Sequence, residues 1–363
     1  MRPPCIPARR KAWYSIPTDA ADSTWWHASR PRNGRGSPTG SRDEPSRFVR
    51  TGSACGACRT RAPARPSETV SANTSPVWIV GCGDIGLRML RRYARAGEHP
   101  VAIVRSDDGA IACEAAGGRA VRADLDDVAT LDTIEVEPRR VVYLAPPPRE
   151  GTEDPRIRDF LARFGNRIDR IVLVSTTGVY GDCDGEWIDE DNPAAPQTER
   201  GRRRLDAERV VAAWAGRTGS GYVILRVPGI YAEDRLPLDR LRKRLPVVRE
   251  SEAAFTNRIH AEDLARICMI ALDSGQSGLV LNATDGRPTT MTEYFNRVAD
   301  AVGLPRPPQI TLDEARAMLS PGMLTYALES RKISNRRMLE TLSITLEYPD
   351  LEFTLSRLSP GDD

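Results

Sequence analysis

The stretch that most constrains this chain is a short apolar run followed at once by a glycine-rich turn. Val77–Val80 has the composition of a buried parallel strand, and it leads into Gly81-Cys82-Gly83-Asp84-Ile85-Gly86. Residues 87–93 then place apolar side chains at helical spacing. The sequence therefore predicts a strand, a tight turn and a helix, which is the setting in which a G-x-G-x-x-G pattern indicates a binding site.

Each glycine of this turn meets a different steric demand. Gly81 lets the chain leave the strand sharply, Gly83 leaves room for a phosphate near the backbone, and Gly86 lets the helix pack close to the sheet. The helix begins near Asp84 and Ile85, where free N–H groups and the positive end of the helix dipole favour an anion. The turn predicts a site for a dinucleotide pyrophosphate, and a tight turn without any ligand is the alternative.

Strand-like and helix-like segments alternate along the chain from residue 77. Six strands are expected, at 77–80, 99–104, 119–125, 140–145, 170–175 and 221–226. Strands separated by helices predict an α/β fold with a doubly wound parallel sheet. Beyond residue 235 the pattern becomes mixed, with a strand expected at 278–283 and helices at 261–273, 292–302 and 333–342. Ser334 is expected to cap the last of these helices.

Composition divides the chain into three parts. Residues 1–73 are rich in Arg, Pro, Ser and Gly and show no sustained period, so we expect a disordered tail. A start site assigned too far upstream is our favoured explanation of this tail, and a targeting or binding tail is the alternative. We expect a dinucleotide-binding core at 74–234 and, at 235–363, a small mixed C-terminal lobe that completes the sheet and contributes to the substrate site.

Charge and cysteine content narrow the classes of partner. Residues 1–75 hold thirteen Lys or Arg and five Asp or Glu, while the whole chain carries a net charge of +2. The remainder is therefore mildly acidic, which argues against a nucleic-acid partner.

Seven scattered cysteines favour free thiols in the cytoplasm, and the lone Cys55-Gly-Ala-Cys58 is weak evidence for metal or redox chemistry. No apolar run approaches the roughly 18 residues of a membrane span, and no residue set has the spacing of a metal site.

Together these landmarks resemble the extended short-chain dehydrogenases/reductases, the NAD-dependent epimerase/dehydratase family. The resemblance covers residues 77–348 and rests on the order of several short pieces. Besides the glycine turn they are Ala123-Asp124-Leu125, Ser175-Thr-Thr-Gly-Val-Tyr-Gly181, Leu225-Arg-Val-Pro-Gly-Ile-Tyr231, Arg258-Ile-His-Ala-Glu-Asp263 and Ile333-Ser-Asn-Arg-Arg337. The resemblance implies a Rossmann-type fold, a small polar or sugar-like substrate and pairing into a homodimer. Departures from the family pattern are similar to those of an atypical, YeeZ-like subgroup.

The resemblance also implies which residues bind the cofactor. NAD-preferring members end the second strand with an acidic residue, whereas this chain has Arg105, which can pair with a 2′-phosphate and favours NADP. Asp107 and Asp108 follow closely, and a shift of two residues would favour NAD instead; a solvated charge is the other interpretation of Arg105. Further cofactor contacts are implied for residues that follow other strands: Asp124, Leu125, Leu144, Ala145, Pro146 and Pro228.

The family's reaction uses a Ser or Thr after the fifth strand and, farther along, a Tyr-x-x-x-Lys pair. The hydroxyl position falls on Thr176, which either bonds a substrate oxygen or satisfies the local backbone. Arg200 stands at the tyrosine position and Arg204 at the lysine position, and no tyrosine in the chain has a lysine four residues later. Arg204 keeps the charge that holds a ribose hydroxyl, but Arg200 cannot act as an acid.

Several side chains remain open to more than one interpretation. Arg200 either clamps a carboxylate or phosphate or is a solvated charge. Tyr180 is a candidate proton donor, the acidic residues at 182–191 form a solvated rim or supply a base, and His260 makes a structural bond or a substrate contact. The sequence therefore supports an atypical NAD(P)-dependent oxidoreductase or epimerase in which Thr176 orients the substrate. A non-catalytic dinucleotide-binding sensor or scaffold is the alternative.

Overall fold

The computed structural model describes residues 75–319 and 321–358, and these residues belong to one compact unit. The predictions of a disordered tail at 1–73 and of a weak Cys55–Cys58 motif lie outside the described residues. Among the helices of the described part, none is both long and apolar enough to cross a membrane.

A seven-stranded sheet forms the centre of the molecule, and every pair of neighbouring strands in it is parallel. Its strands are β1 (Val77–Val80), β2 (Val101–Val104), β3 (Arg119–Arg122), β4 (Arg140–Tyr143), β5 (Arg170–Thr176), β7 (Gly221–Val227) and β12 (Leu279–Asn282). They lie in the order β12-β7-β5-β4-β1-β2-β3. The predicted doubly wound parallel sheet is confirmed, and the strand predicted at 278–283 forms one of its edges.

Helices cover both faces of this sheet because its strands are apolar on both sides. In β1, Val77 and Ile79 point to one buried cluster while Trp78 and Val80 point to the other. The first face is covered by α1 (Asp84–Arg95), α2 (Asp107–Ala115), α7 (Ala261–Asp273) and α11 (Arg336–Leu342). The second face is covered by α3 (Val128–Asp132), α4 (Pro155–Phe164) and α5 (Glu199–Thr218).

The remaining elements are short and lie mostly beyond the last central strands. Eight short strands form four two-stranded sheets, three parallel and one antiparallel. These strands are β6 (Trp187–Ile188), β8 (Gly229–Tyr231), β9 (Val247–Val248), β10 (Phe255–Thr256), β11 (Arg258–His260), β13 (Thr289–Thr290), β14 (Gln309–Ile310) and β15 (Lys332–Ile333). The accompanying helices are α6 (Leu238–Arg242), α8 (Met291–Ala301), α9 (Leu312–Met318), α10 (Pro321–Leu328) and α12 (Leu351–Leu355). Phe295 of α8 is fully buried in a third apolar cluster.

The late helix differs from its predicted bounds. It begins at Arg336 rather than at Ile333, and its N-cap residue is Asn335. Ile333 instead belongs to β15, where it pairs with Ile188 of β6. The predicted Ser334 cap is therefore wrong, although the Ser334 hydroxyl accepts a hydrogen bond from the Arg336 N–H at 3.3 Å.

Candidate functional site

The candidate site lies where the central parallel strands end. Because these strands run in one direction, their carboxyl ends meet at a single edge of the sheet. The strands end there at Val80, Val104, Tyr143, Thr176 and Val227. The residues predicted to bind cofactor and substrate follow these ends, so the fold brings both groups to the same edge.

The glycine turn begins with a backbone conformation that suits glycine. Gly81 has φ +80°, and a Cβ built on it would lie 2.6 Å from the backbone of Ala145. Its N–H donates to the Ile103 carbonyl at 3.1 Å, and the Ala145 N–H donates to the Val80 carbonyl at 3.0 Å. The turn after β1 is therefore packed directly against the segment that follows β4.

The other two glycines differ in role: Gly86 allows close packing, and Gly83 leaves space for a ligand. A Cβ on Gly86 would lie 2.6 Å from Cys82 Sγ and 3.1 Å from Ile79 Cγ2, so this glycine allows α1 to approach the sheet. A Cβ on Gly83 would meet nothing within 4 Å, and Gly83 is exposed. Gly83 is the N-cap residue of α1 and makes no side-chain cap hydrogen bond. The first-turn N–H groups thus open onto free space, which fits the pyrophosphate of a dinucleotide.

Asp84 places a negative charge beside this phosphate position, and two arginines balance it. Its carboxylate accepts from Arg88 Nε at 3.1 Å and from Arg235 Nη1 at 2.5 Å. Arg88 also donates to Glu262 and Asp234. The network fixes the start of α1 to the segment after β8 and to α7, and it offsets the charge that would otherwise repel a phosphate.

Arg105 is the exposed residue that ends the second strand. It makes no hydrogen bond or ion pair within the described part of the chain. Ser106 caps α2 by accepting from the Gly109 N–H at 3.2 Å, and the carboxylate of Asp107 is paired with Arg122 at 2.6 Å. The charge of Arg105 acts on the nearby carboxylate of Asp126, which is bonded to Arg156, so the guanidinium keeps its donors available to an anion. The neighbouring carboxylate of Asp107 already has a cationic partner.

The other predicted cofactor residues line the same edge. Asp124 accepts from the Asp126 N–H at 3.0 Å, and Leu125 is partly buried against the second apolar cluster. The Leu144 N–H donates to the Val80 carbonyl at 2.8 Å, which continues the sheet beyond β4. Two prolines complete the set at half-buried or exposed positions, Pro146 after β4 and Pro228 between β7 and β8.

Thr176 is the last residue of β5, at the centre of the edge. Its Oγ1 accepts a hydrogen bond from the Gly178 N–H at 3.2 Å, so the hydroxyl stabilises the turn that follows the strand. This contact uses an oxygen lone pair and leaves the hydroxyl proton available for donation. The two predicted roles of Thr176, local backbone bonding and contact with a substrate oxygen, are therefore compatible.

Arg204 reaches from α5 to the ends of two strands. Its Nη1 donates to the Val174 carbonyl at 3.0 Å and to the Ala145 carbonyl at 3.3 Å. Burial lowers the pKa of Arg204 to about 10. The negative charge of Asp154 opposes this change, and the positive charge of Arg200 adds to it. The side chain still carries a positive charge at neutral pH, and it holds that charge between β4 and β5.

A buried ion pair joins α5 to β7 next to Arg204, and sequence reasoning missed it. Glu208 of α5 accepts from Arg226 of β7 at 2.8 Å, with only 5% and 8% of the two side chains exposed. Glu208 also accepts from the Ser175 hydroxyl at 2.5 Å. The one available signal was spacing, because Glu208 lies one helical turn after Arg204 on the same face of α5.

Tyr180 takes part in the same buried layer. Its hydroxyl donates to Asn282 Oδ1 at 2.8 Å, and the guanidinium of Arg226 lies 4.7 Å from its ring centroid. Burial raises the pKa of Tyr180, whose side chain is almost fully buried. These contacts favour a role in holding the ends of β5, β7 and β12 together over a role as proton donor.

Contacts bear on two further expectations, those for the acidic segment and for His260. The acidic segment is not wholly solvated, because Glu190 has only 1% of its side chain exposed and accepts from the Asn282 N–H at 2.7 Å. Burial raises the pKa of Glu190. His260 is fully buried, stacks on Tyr348 at 3.6 Å and accepts at Nδ1 from the Glu262 N–H, which matches the structural interpretation.

Comparison with known proteins adds family information to this geometry. A family model described as NAD(P)H-binding matches residues 81–274. The chain is 27% identical over 240 residues to 2′-dehydrokanamycin reductase of Streptomyces kanamyceticus, covering 62% of this chain and 66% of the reductase. It is 24% identical over 284 residues to protein YeeZ of Escherichia coli K12, covering 76% of this chain and 96% of YeeZ.

Solved structures agree with the observed architecture. A conserved protein of unknown function from Silicibacter pomeroyi matches with a TM-score of 0.67 and 26% identity. The match covers 78% of this chain and 97% of that protein. The Rossmann-type α/β fold is therefore confirmed both by the strand order and by an independent structure.

Proposed function

Because the chain belongs to the NAD(P)H-binding family, we propose that it is an NADP-dependent oxidoreductase acting on a carbonyl or alcohol group of a small polar or sugar-like molecule. The predicted resemblance is confirmed at the level of the NAD(P)H-binding family, and protein YeeZ is among the relatives of this chain. Membership supports NAD(P) binding, and the exposed Arg105 at the end of β2 favours NADP over NAD.

One observation carries this proposal: the glycine turn and the side chain of Arg204 meet at Ala145. The backbone of Ala145 packs against Gly81, and its carbonyl accepts from Arg204. Arg204 also bonds the Val174 carbonyl, two residues before Thr176. A cofactor held by the turn would therefore extend along an edge that already carries a fixed cation and a hydroxyl.

The residues at this edge have separate tasks in the proposed reaction. When bound, the nicotinamide cofactor supplies or accepts the hydride. The Thr176 hydroxyl donates a hydrogen bond to the reacting oxygen of the substrate, while Gly178 fixes the hydroxyl oxygen. Arg204 holds a ribose hydroxyl by its charge and orients it. Residues 74–234 bind the cofactor, and residues 235–363 contribute substrate contacts.

Turnover by a Thr176→Val variant tests the proposal, because this change removes the hydroxyl with little change in volume. NADPH oxidation would be followed with a panel of small aldehydes, ketones and keto-sugars. We expect a loss of about 10–100-fold in kcat/KM with NADPH affinity unchanged, comparable to the loss of one transition-state hydrogen bond. The matched control is Thr133→Val, an exposed threonine at the end of α3.

A non-catalytic dinucleotide-binding protein is the second candidate function. It is favoured by one observation, namely that Tyr180 is buried and bonded to Asn282, so it offers no tyrosine acid to the edge. Tight binding of NADPH without turnover of any carbonyl or alcohol would support this second function and contradict the first. Loss of turnover in Thr176→Val without loss of NADPH binding would decide for the enzyme.

A further inference from the structure

Three charged side chains lie in a line along α5, each one helical turn from the next. Glu208 bonds Ser175 and Arg226 within the sheet layer. Arg204, one turn nearer the helix start, bonds the carbonyl of Val174 near the end of β5. A turn of helix rises about 5.4 Å, so Arg200 lies one further turn along, just beyond the carboxyl edge of the sheet.

The start of α5 is held firmly beside Thr176. Thr198 caps the helix by accepting from the Gly201 N–H at 3.1 Å. A Cβ on Gly201 would lie 2.9 Å from the Gly178 carbonyl oxygen, so the first turn of the helix is pressed against the turn that follows β5. The backbone at Arg200 therefore belongs to a firmly packed turn beside the segment that follows Thr176.

Arg200 differs from the arginines around it in having no partner. It is exposed and makes no hydrogen bond or ion pair within residues 75–319 and 321–358. Arg203 donates to the Gly151 carbonyl at 2.6 Å, and Arg202 donates to the Gln197 carbonyl. Arg200 is thus the side chain at the start of α5 whose five N–H donors are all available to a ligand.

The charge around Arg200 favours an anion. Arg200 and Arg204 are like charges four residues apart, an arrangement that destabilises a helix unless a negative group lies near, and the charge of Arg200 acts on Arg204. Asp154 lies close enough to act on Arg204 but is fully buried, and that burial raises its pKa. The guanidinium fork matches the two oxygens of a carboxylate or phosphate better than it matches a neutral hydroxyl.

We propose that the substrate carries a carboxylate or phosphate group and that Arg200 binds this group while Thr176 bonds the reacting oxygen. The inference deepens the proposed function and rests on it, because it assigns a substrate class to the same edge of the sheet. Arg200 is in this view a specificity-determining residue, and the distance from its guanidinium to the Thr176 hydroxyl sets the separation of the two substrate groups.

Matched probes with and without the anionic group test the inference. The carboxylate arm compares 4-carboxybenzaldehyde with its methyl ester, and the phosphate arm compares glyceraldehyde 3-phosphate with glyceraldehyde, each with NADPH. We expect at least tenfold higher kcat/KM for the charged member of one pair, and the arm that shows it identifies the anion. Equal kcat/KM within both pairs, with NADPH still bound, would overturn the inference without touching the proposed function.

Variants of Arg200 assign the effect to this side chain. Arg200→Gln should lower kcat/KM at least tenfold for the charged probe and leave the neutral probe unchanged, and Arg200→Lys should restore part of the loss. Arg209→Gln is the matched control, because Arg209 is exposed on the same helix, away from the edge, and changes net charge equally. A similar loss in Arg209→Gln, or a loss that falls equally on both probes, would contradict the assignment.

Direct binding decides the case in which neither probe is reduced. Titration with 4-carboxybenzyl alcohol and with the corresponding amide, in the presence of NADP, measures anion preference without turnover. We expect the carboxylate to bind at least tenfold more tightly to the wild type and this preference to vanish in Arg200→Gln. Equal affinity for the two alcohols, together with equal affinity for glycerol 3-phosphate and glycerol, would overturn the inference. Failure of NADPH itself to bind would instead contradict the proposed function.

Discussion

Two helices begin at the same edge of the sheet and present anion-binding groups in different ways. Helix α1 starts at Gly83 with no side-chain cap, and its free N–H groups open onto solvent. Helix α5 starts at Thr198, whose hydroxyl caps the first turn, and it presents the guanidinium groups of Arg200 and Arg204 instead. Backbone groups thus serve one half of the site, and long side chains serve the other.

The two halves also differ in what holds them in place. The glycine turn is fixed by close packing, Gly81 against Ala145 and Gly86 against Cys82. The face of α5 is fixed by a buried polar layer centred on Glu208. Packing around glycine tolerates little change in volume, whereas a polar layer tolerates little change in charge. Substitutions should therefore affect the two halves through different properties.

The largest effect on stability is expected in the buried polar layer that holds α5. Glu208→Ala would leave Arg226 buried without its carboxylate and Ser175 without its acceptor. Breaking a buried pair in this way costs about 3–5 kcal/mol, so we expect a loss of that size in the free energy of unfolding. Chemical denaturation of the wild type and the variant measures it.

The double variant Glu208→Leu/Arg226→Met separates charge from volume. Replacing both members by apolar side chains should recover most of the stability lost in Glu208→Ala, because no buried charge is left unpaired. Equal destabilisation in the single and double variants would show that α5 is held by packing alone, and the contrast between the two halves would fail.

A smaller effect on stability is expected from pH, through Asp285 in the segment that follows β12. Burial raises the pKa of Asp285 to about 7 in the folded chain, above its ordinary value of 3.8. The folded state therefore holds a proton that the unfolded state releases, so this contribution to stability is present below about pH 4 and is lost as pH rises through about 7. Between these pH values the free energy of unfolding should fall by on the order of 2–4 kcal/mol in the wild type, and we expect Asp285→Asn to remove this fall.

Urea denaturation at pH 4.5 and pH 8 checks this expectation. The difference in free energy of unfolding between the two pH values should shrink in Asp285→Asn relative to the wild type. Asp239→Asn, which changes an exposed carboxyl of α6, should leave the difference as it is. An unchanged difference in Asp285→Asn would mean that Asp285 is ionised in the folded chain at both pH values.

The smallest of these effects concerns cofactor choice on the backbone side. Arg105→Ala should weaken NADPH binding by about tenfold, roughly 1.4 kcal/mol, because an exposed charge-assisted contact to the 2′-phosphate is lost. NADH binding should not change. Isothermal titration of both cofactors measures this, with Arg95→Ala, an exposed arginine at the far end of α1, as the control. Equal losses for both cofactors would contradict the assignment of NADP.

The backbone half of the site could be predicted from sequence because its signals are local. The apolar run at Val77–Val80, the three glycines and the helix after them lie within one short segment, and each glycine imposes a local steric condition. The order of the other strands followed from the same alternation. The start of the late helix was misplaced, at 333 instead of 336, because Ile333 pairs with Ile188, far away in the chain. The strands predicted at 99–104, 119–125 and 140–145 exist but are shorter, at Val101–Val104, Arg119–Arg122 and Arg140–Tyr143.

The side-chain half could be predicted only in part. Thr176 and Arg204 were found because they occupy positions of a known pattern, and both lie at the edge. Their support was missed, since Glu208 binds Arg226 and Glu190 binds Asn282 across the fold. Contacts between residues that are distant in sequence depend on the packing of whole elements, which no local period encodes. Glu190, expected in a solvated rim, is the clearest example.

NADPH binding by a Gly83→Ala variant tests the central claim most directly. A Cβ at Gly83 meets no protein atom within 4 Å, so the variant should fold with an unchanged melting temperature, and the methyl group would fill only the space left for the phosphate. Gly216→Ala adds the same methyl group on α5, equally free of contacts, and serves as the control. The account predicts at least about tenfold weaker NADPH binding in Gly83→Ala alone. A folded Gly83→Ala variant that binds NADPH as tightly as the wild type would contradict it.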